Sequence, residues 1–171
     1  MIFMGREIER KFLPANDLWQ KEGSVRLADI TQGYLVENKQ WILRVRHLQE
    51  TLPQPKAQGF LTIKGNTPDQ LGPTWNGHLE FEYAIPVADA QELLQATSLK
   101  ITKQRRWITY QHQTFEIDIF TSGLVLIELE LPDPGHQIIA PPWLGREVTG
   151  DACYTNRYLA EHAAGKDLAR V

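Results

Sequence analysis

Apolar and charged residues alternate along most of this chain with a period of two. In "EIERKF", Glu7, Glu9 and Lys11 are separated by Ile8 and Arg10 and followed by Phe12. In "LRVRH", Arg44 and Arg46 alternate with Leu43 and Val45. In "FLTIKG", Thr62 and Lys64 alternate with Leu61 and Ile63. In "LEFEYAI", Glu80 and Glu82 are set against Leu79, Phe81, Tyr83 and Ile85. "ITKQRRWI" places Lys103 and Arg105 on one face, "FEIDIF" does the same with Glu116 and Asp118, and "LVLIELEL" with Glu128 and Glu130. Side chains two apart share one face of a strand, so each segment predicts a strand with one charged and one apolar face.

Punctuation sets the remaining elements. Pro14 ends the first segment, and Asn16 or Asp17 can cap a short helix to about Lys21. "DITQGYLVE" and "QWILRVRHL" read as strands. Gln49 to Gln58, with Pro53 and Pro55, reads as a loop, and Asn66 to Gly77 as a long flexible one. "VADAQELLQAT" has helical composition. "LKITKQRRWITYQ" and "QTFEIDIFT" read as two strands joined by a turn around Gln111 to Gln113. Pro134, Gly135, Pro141 and Pro142 mark a further loop. "GDACYTNRYLAEHAAGK" reads as a helix over about 151–164, capped by Asp151 and stopped at Gly165. About eight strands, over about 3–131, and three or four helices with few long crossovers predict an antiparallel sheet or barrel with helices outside.

A half-exposed strand ordinarily turns its charges to water. Seven segments with charges sorted by sign weaken that reading: acids on four, bases on three, and Lys11 among the first acids. Like charges on one face repel unless something offsets them. A closed barrel with a polar lumen would gather the charges, with its apolar exterior covered by helices and loops. Such a lumen, costly when bare, is resolved by a ligand bearing both anionic oxygens and divalent cations. Polyphosphate with Mg2+ or Mn2+ is such a ligand: Arg and Lys meet phosphate oxygens, and carboxylates hold the hard ions.

The chain has 171 residues, which fits one domain over 1–171, with 42% apolar and 23% charged residues. A net charge of −3 gives no global attraction to nucleic acid or an anionic membrane. No apolar run is long enough to span a bilayer, and the first residues lack a signal-peptide core, so a cytoplasmic location is the simplest expectation. Cys153 stands alone, which excludes an internal disulfide and a cysteine metal cluster and leaves a packed thiol as the expectation. No histidine pair has zinc-ligand spacing. His47, His78, His112, His136 and His162 read as surface or packing residues. Trp41, Trp75, Trp107 and Trp143 read as cover for apolar surface, and Tyr34 and Tyr154 as packing residues.

The ordered set "EIERKF", "ITQGYL", "LRVR", "LTIKG", "EFEY", "KQR", "EIDIF", "GLVLIELEL" and "WLGREVTGDACYTN" resembles the CYTH superfamily, the triphosphate tunnel metalloenzymes, from about Arg6 to Leu159. The resemblance implies an α+β fold: an eight-stranded antiparallel barrel forming a tunnel with a polar lumen and helices outside. It implies hydrolysis or cyclisation of triphosphates with a divalent metal. Glu7, Glu9, Asp118, Glu128 and Glu130 are the implied metal residues. Lys11, Arg44, Arg46, Lys64, Lys103 and Arg105 are the implied triphosphate clamp. Lys11, Glu128 and Glu130 are the catalytic candidates, with Glu80, Glu82 and Glu116 as further metal or structural candidates. His78 stands where the family commonly has Arg.

The compact chain favours inorganic tripolyphosphate, cleaved to pyrophosphate and phosphate, with two ions of Mg2+ or Mn2+ during turnover. A class IV adenylate cyclase, a thiamine triphosphatase and a non-catalytic polyphosphate-binding module are the alternatives. The expected partner is a small triphosphate, with no nucleic acid or membrane, and homodimerisation is compatible with the sequence.

Overall fold

The structure is a computed structural model and describes residues 7–65 and 79–163. Among the described residues nine strands form one antiparallel sheet: β1 (Glu9–Pro14), β2 (Arg26–Glu37), β3 (Trp41–Leu52), β4 (Lys56–Gly65), β5 (Glu80–Ile85), β6 (Lys100–Tyr110), β7 (Gln113–Phe120), β8 (Val125–Glu130) and β9 (Leu144–Glu147). Their order is β5-β4-β3-β2-β6-β7-β8-β1-β9. The two α-helices are α1 (Val87–Ala96) and α2 (Asn156–His162), and single turns of 3-10 helix occupy Leu18–Lys21 and Ala152–Tyr154.

The antiparallel architecture, with helices packed against the sheet, is the expected one. The details differ in four places. The sheet has nine strands because Leu144–Glu147 pairs with β1, a segment read from its prolines as loop. Among the described residues the ladder does not close, and it ends at β5 on one side and β9 on the other. The prolines after Leu52 occupy only a tight turn, so β3 and β4 pair as far as Glu50 opposite Lys56. The predicted C-terminal helix also divides. Asp151 caps the 3-10 turn by accepting from the Cys153 backbone N–H, and Thr155 caps α2 by accepting from that of Tyr158. His78, Trp75 and the predicted Asn66–Gly77 loop lie outside the described residues.

Cross-strand register puts the charged residues on one face. Arg44 opposes Thr62, Arg105 opposes Asp118, Lys11 opposes Glu128 and Glu9 opposes Glu130. The opposite, convex face carries most of the core. Phe12, Ile108, Phe115, Ile117, Ile127 and Leu129 are buried there beneath Trp19 and Trp143. Trp143 meets Phe115 edge-on with centroids 5.2 Å apart. Burial of each such side chain contributes roughly 1.5–3 kcal/mol. α1 covers another part of this face, seating Ala90 and Leu94 against Val45. A Cβ on Gly59 would stand 2.8 Å from the Ala90 Cβ and 2.9 Å from the Ile85 carbonyl oxygen, so glycine lets α1 approach β4.

Two apolar layers bound the charged belt on the concave face. At one end Ala28, Ile30 and Leu48 lie beneath Trp107 and Phe60. At the other, α2 packs Leu159 and Ala160 against Tyr34, Ile101, Phe120 and Leu126.

The β6–β7 hairpin turns through Gln111 (φ 42°) and His112 (φ 68°), both left-handed without being glycine. Such positions strain L-residues, and Asn-Gly suits a two-residue hairpin turn. Urea unfolding of the Gln111→Asn/His112→Gly variant is expected to show a gain of about 0.5–1 kcal/mol, the relieved left-handed strain less the unfolded-chain freedom that glycine adds, with an unchanged m-value.

Candidate active site

The concave face encloses a cavity of about 540 Å³. Of the predicted residues, Glu7, Glu9, Arg44, Arg46, Lys64, Glu80, Glu82, Lys103, Arg105, Glu116, Glu128 and Glu130 line it. Lys11 lies beside it, with its ammonium 2.9 Å from Glu128 Oε1 and 3.6 Å from Glu9 Oε1. Asp118 is fully buried behind the wall.

The charges are layered by depth. Lys103, Arg105, Lys11 and Glu128 form a buried floor. Arg105 Nη2 donates to Glu128 Oε2 at 2.8 Å, and Nη1 donates to Glu116 Oε2. Lys103 Nζ donates to Asp118 Oδ2, and Arg105 donates to both Asp118 oxygens at 2.6 Å. One wall is cationic. Arg44 donates to Glu80 at 3.2 Å, Arg46 to both oxygens of Glu82 at 2.8 Å, and Lys64 to Glu7 at 2.6 Å. The Lys64 ammonium also stands 3.2 Å from Glu80, so it links the β4–β5 edge to the chain entering β1. Glu9, Glu82, Glu116 and the exposed Glu130 form a more accessible acidic rim.

Ionisation follows this layering. Burial alone would raise the Glu128 carboxyl, but Lys11, Lys103 and Arg105 hold it well below the usual carboxylate range. Burial opposes the charged form of Lys11 and Lys64 as well, yet Glu128 and Glu9 raise the first and Glu7, Glu9 and Glu80 the second. The rim behaves oppositely. Burial raises the carboxyls of Glu7, Glu9 and Glu116. Glu130 is raised by burial and then by Glu7, Glu116, Glu80 and Glu9. No cation pairs with Glu130 among the described residues. At Glu130 the rim is therefore short of positive charge.

The floor and wall are short of anions at two atoms. Nε of Arg44 and Nε of Arg46 are buried without a hydrogen-bond partner. An unpaired buried donor is costly, and phosphate oxygens would satisfy both. Among the described residues, no three Asp, Glu, His or Cys side chains are gathered closely enough to cage a metal. Even so, the carboxylate oxygens of Glu7, Glu9 and Glu130 are hard donors of the kind divalent cations take, and such a cation would relieve their raised carboxyls.

Three neutral participants escaped the sequence reading. Gln32 is buried on the cavity wall and donates Nε2 to the Tyr34 hydroxyl at 3.0 Å. Asn156, the first residue of α2, lines the cavity and accepts from Lys103 at 3.3 Å. Trp107 does cover apolar surface, and its indole N–H also donates to Glu116 Oε1 at 2.9 Å. The parity of Gln32 with Ile30 and Tyr34, and of Trp107 with Arg105, was available in the sequence. Nothing in it placed Asn156. Tyr34 and Tyr154 pack with the α2 layer as expected, and the Tyr154 carbonyl also accepts from Lys11 at 3.3 Å.

One antiparallel sheet curled around a cavity of both charges defines a tunnel-type fold. Residues 5–153 match the CYTH domain, and the chain belongs to the CYTH family. It is similar to a protein named inorganic triphosphatase from Acetivibrio thermocellus, with 37% identity over 93% of this chain and 96% of the relative. A second protein of that name, from Nitrosomonas europaea, is 34% identical over 90% and 96%. Solved structures from Pyrococcus horikoshii and Pyrococcus furiosus share the fold, each with a TM-score of 0.52. The first is 17% identical and the match covers 75% of this chain and 80% of that one; the second is 18% identical, covering 74% and 79%.

The unpaired arginine donors predict that a polyvalent anion stabilises the metal-free protein. Tripolyphosphate at about 100 times its Kd in EDTA should add about 2.7 kcal/mol, read as a rise in melting temperature. Arg44→Ala should diminish that rise.

Proposed function

We propose that the protein hydrolyses inorganic tripolyphosphate to pyrophosphate and phosphate, with Mg2+ or Mn2+ bound among Glu7, Glu9, Glu128 and Glu130. The observation that carries this reading is a cavity lined by Arg44, Arg46, Lys64, Lys103 and Arg105 with acids at its rim, in which the buried Nε donors of Arg44 and Arg46 lack hydrogen-bond partners. The names of the two curated relatives point to the same substrate. The cavity of about 540 Å³ is lined mostly by charged side chains, which suits an anion without an organic group.

A divalent ion at the rim would neutralise phosphate oxygens and act as a Lewis acid. The chain's own residues supply the rest. Arg44, Arg46 and Lys64 on one wall and Lys103, Arg105 and Lys11 below take the phosphate oxygens and hold the chain of phosphates in line. Water attacks the terminal phosphorus, the P–O bond to the leaving pyrophosphate breaks, and the water protons pass to phosphate and solvent. Charge gathers on the leaving group in the transition state, where preorganised ammonium and guanidinium groups stabilise it most. The apolar layers at both ends limit the water around these groups and so strengthen their fields.

The purified protein should release phosphate from tripolyphosphate with Mg2+ or Mn2+, and far less from ATP or thiamine triphosphate. Cyclic AMP from ATP would identify a cyclase instead, and tight binding without turnover a polyphosphate-binding module.

Two variants separate the roles. Glu130→Gln should reduce turnover by 100-fold or more with an unchanged or slightly raised melting temperature, because the side chains that act most strongly on Glu130 are acidic. Arg46→Ala should act mainly through KM, raising it about tenfold, equivalent to roughly 1.4 kcal/mol.

A further inference from the structure

We propose that Asp118 is a positioning residue that fixes the cationic floor, and that it does not ligate the metal. This rests on the tripolyphosphatase reading above. The family resemblance groups Asp118 with Glu128 and Glu130, but of the three Asp118 alone has no place in the cavity lining, and both its oxygens are taken up by Arg105 and Lys103. It is 0% exposed and absent from the cavity lining. Oδ1 accepts from Arg105 Nε at 2.6 Å, and Oδ2 accepts from Arg105 Nη2 at 2.6 Å and from Lys103 Nζ. The guanidinium fork is thus gripped at two of its nitrogens, leaving Nη1 and the outer face of Nη2 for Glu116, Glu128 and the cavity.

Lys103 is held at a second point by Asn156 Oδ1, at 3.3 Å. An ammonium has three donors, and two of Lys103's are directed to Asp118 and Asn156. The third remains for a phosphate oxygen. For Asp118 to bind an ion it would have to release both cations, and a divalent ion would enter a pocket already holding those two. Glu130 meets the opposite condition, open to the cavity and without a cation partner among the described residues.

A bidentate carboxylate behind a guanidinium limits its rotation, so less entropy is lost when phosphate binds. Removing Asp118 should therefore weaken anion binding without changing the demand for metal. The test pairs two measurements on Asp118→Asn, with folding checked by thermal unfolding. The first is the Kd of tripolyphosphate in EDTA by calorimetry. The second is the Mn2+ concentration giving half-maximal phosphate release at saturating tripolyphosphate.

The expected result is a Kd about tenfold higher and a Mn2+ midpoint within twofold of the parent protein. An anion Kd within twofold of the parent, a Mn2+ midpoint raised more than the Kd, or no anion binding by the parent in EDTA overturns the proposal. If Asp118→Asn does not fold, Lys103→Met and Lys103→Met/Asp118→Asn are compared, since removing both charges of a buried pair is better tolerated than removing one. Their Mn2+ midpoints should agree within twofold, and a larger gap overturns the proposal. A parent protein that binds the anion but releases no phosphate with either metal defeats the functional reading. The calorimetric arm then decides alone whether Asp118 sets anion affinity.

Discussion

The structure depends on mutual neutralisation of charges taken out of water on one face of a curled sheet. Lys103, Arg105, Asp118 and Glu128 are all nearly inaccessible, and none would be tolerated there alone. Together they satisfy most of one another's charge through short, forked contacts. Burial is costly for each, and the pairing offsets that cost only because β6, β7, β8 and β1 hold the partners in register. The convex core therefore has a double duty. It supplies the apolar burial that stabilises the fold, and it keeps four strands rigid enough for ion pairs on the other face to keep their geometry.

Neutralisation is incomplete in a directed way. Positive charge dominates the floor and one wall, and negative charge dominates the rim. A bare anion entering the cavity meets repulsion first and attraction afterwards. A bare divalent cation meets attraction first and repulsion afterwards. Only a complex of the two matches the whole gradient, as the substrate of a metal-assisted phosphoryl transfer would. The charges are sorted by which strand carries them, so the gradient is written into the sheet order.

Much of this was legible in the sequence, because strand periodicity assigns each side chain to a face. That rule alone gathered Glu9, Lys11, Arg44, Arg46, Lys64, Lys103, Arg105, Glu116, Glu128 and Glu130 on one side. It carries no information about depth, so Asp118 and Glu116, two residues apart, looked equivalent. In the structure one is sealed behind two cations and the other stands at the rim. The ninth strand was hidden for another reason. Leu144–Glu147 is four residues long, contains a glycine and follows two prolines, all signs of a loop. A Cβ at Gly145 would lie 2.6 Å from the Leu13 carbonyl oxygen, so the apparent breaker is what permits close pairing with β1. The extent of β3 and β4 past Leu48 was missed because prolines mark where a turn falls and not how long it is.

The place of β1 in the sheet bears on how the protein comes into being. It leaves the ribosome before the other described strands, yet its neighbours are β8 and β9, with Lys11 opposite Glu128. More than a hundred residues must be made before it finds a partner, and closing so long a loop is slow. Until then an unpaired strand is open to adhesion with other nascent chains. Glutamate, arginine and lysine spaced along it resist such sticking, so the residues that finish the cavity also keep the waiting strand soluble during translation.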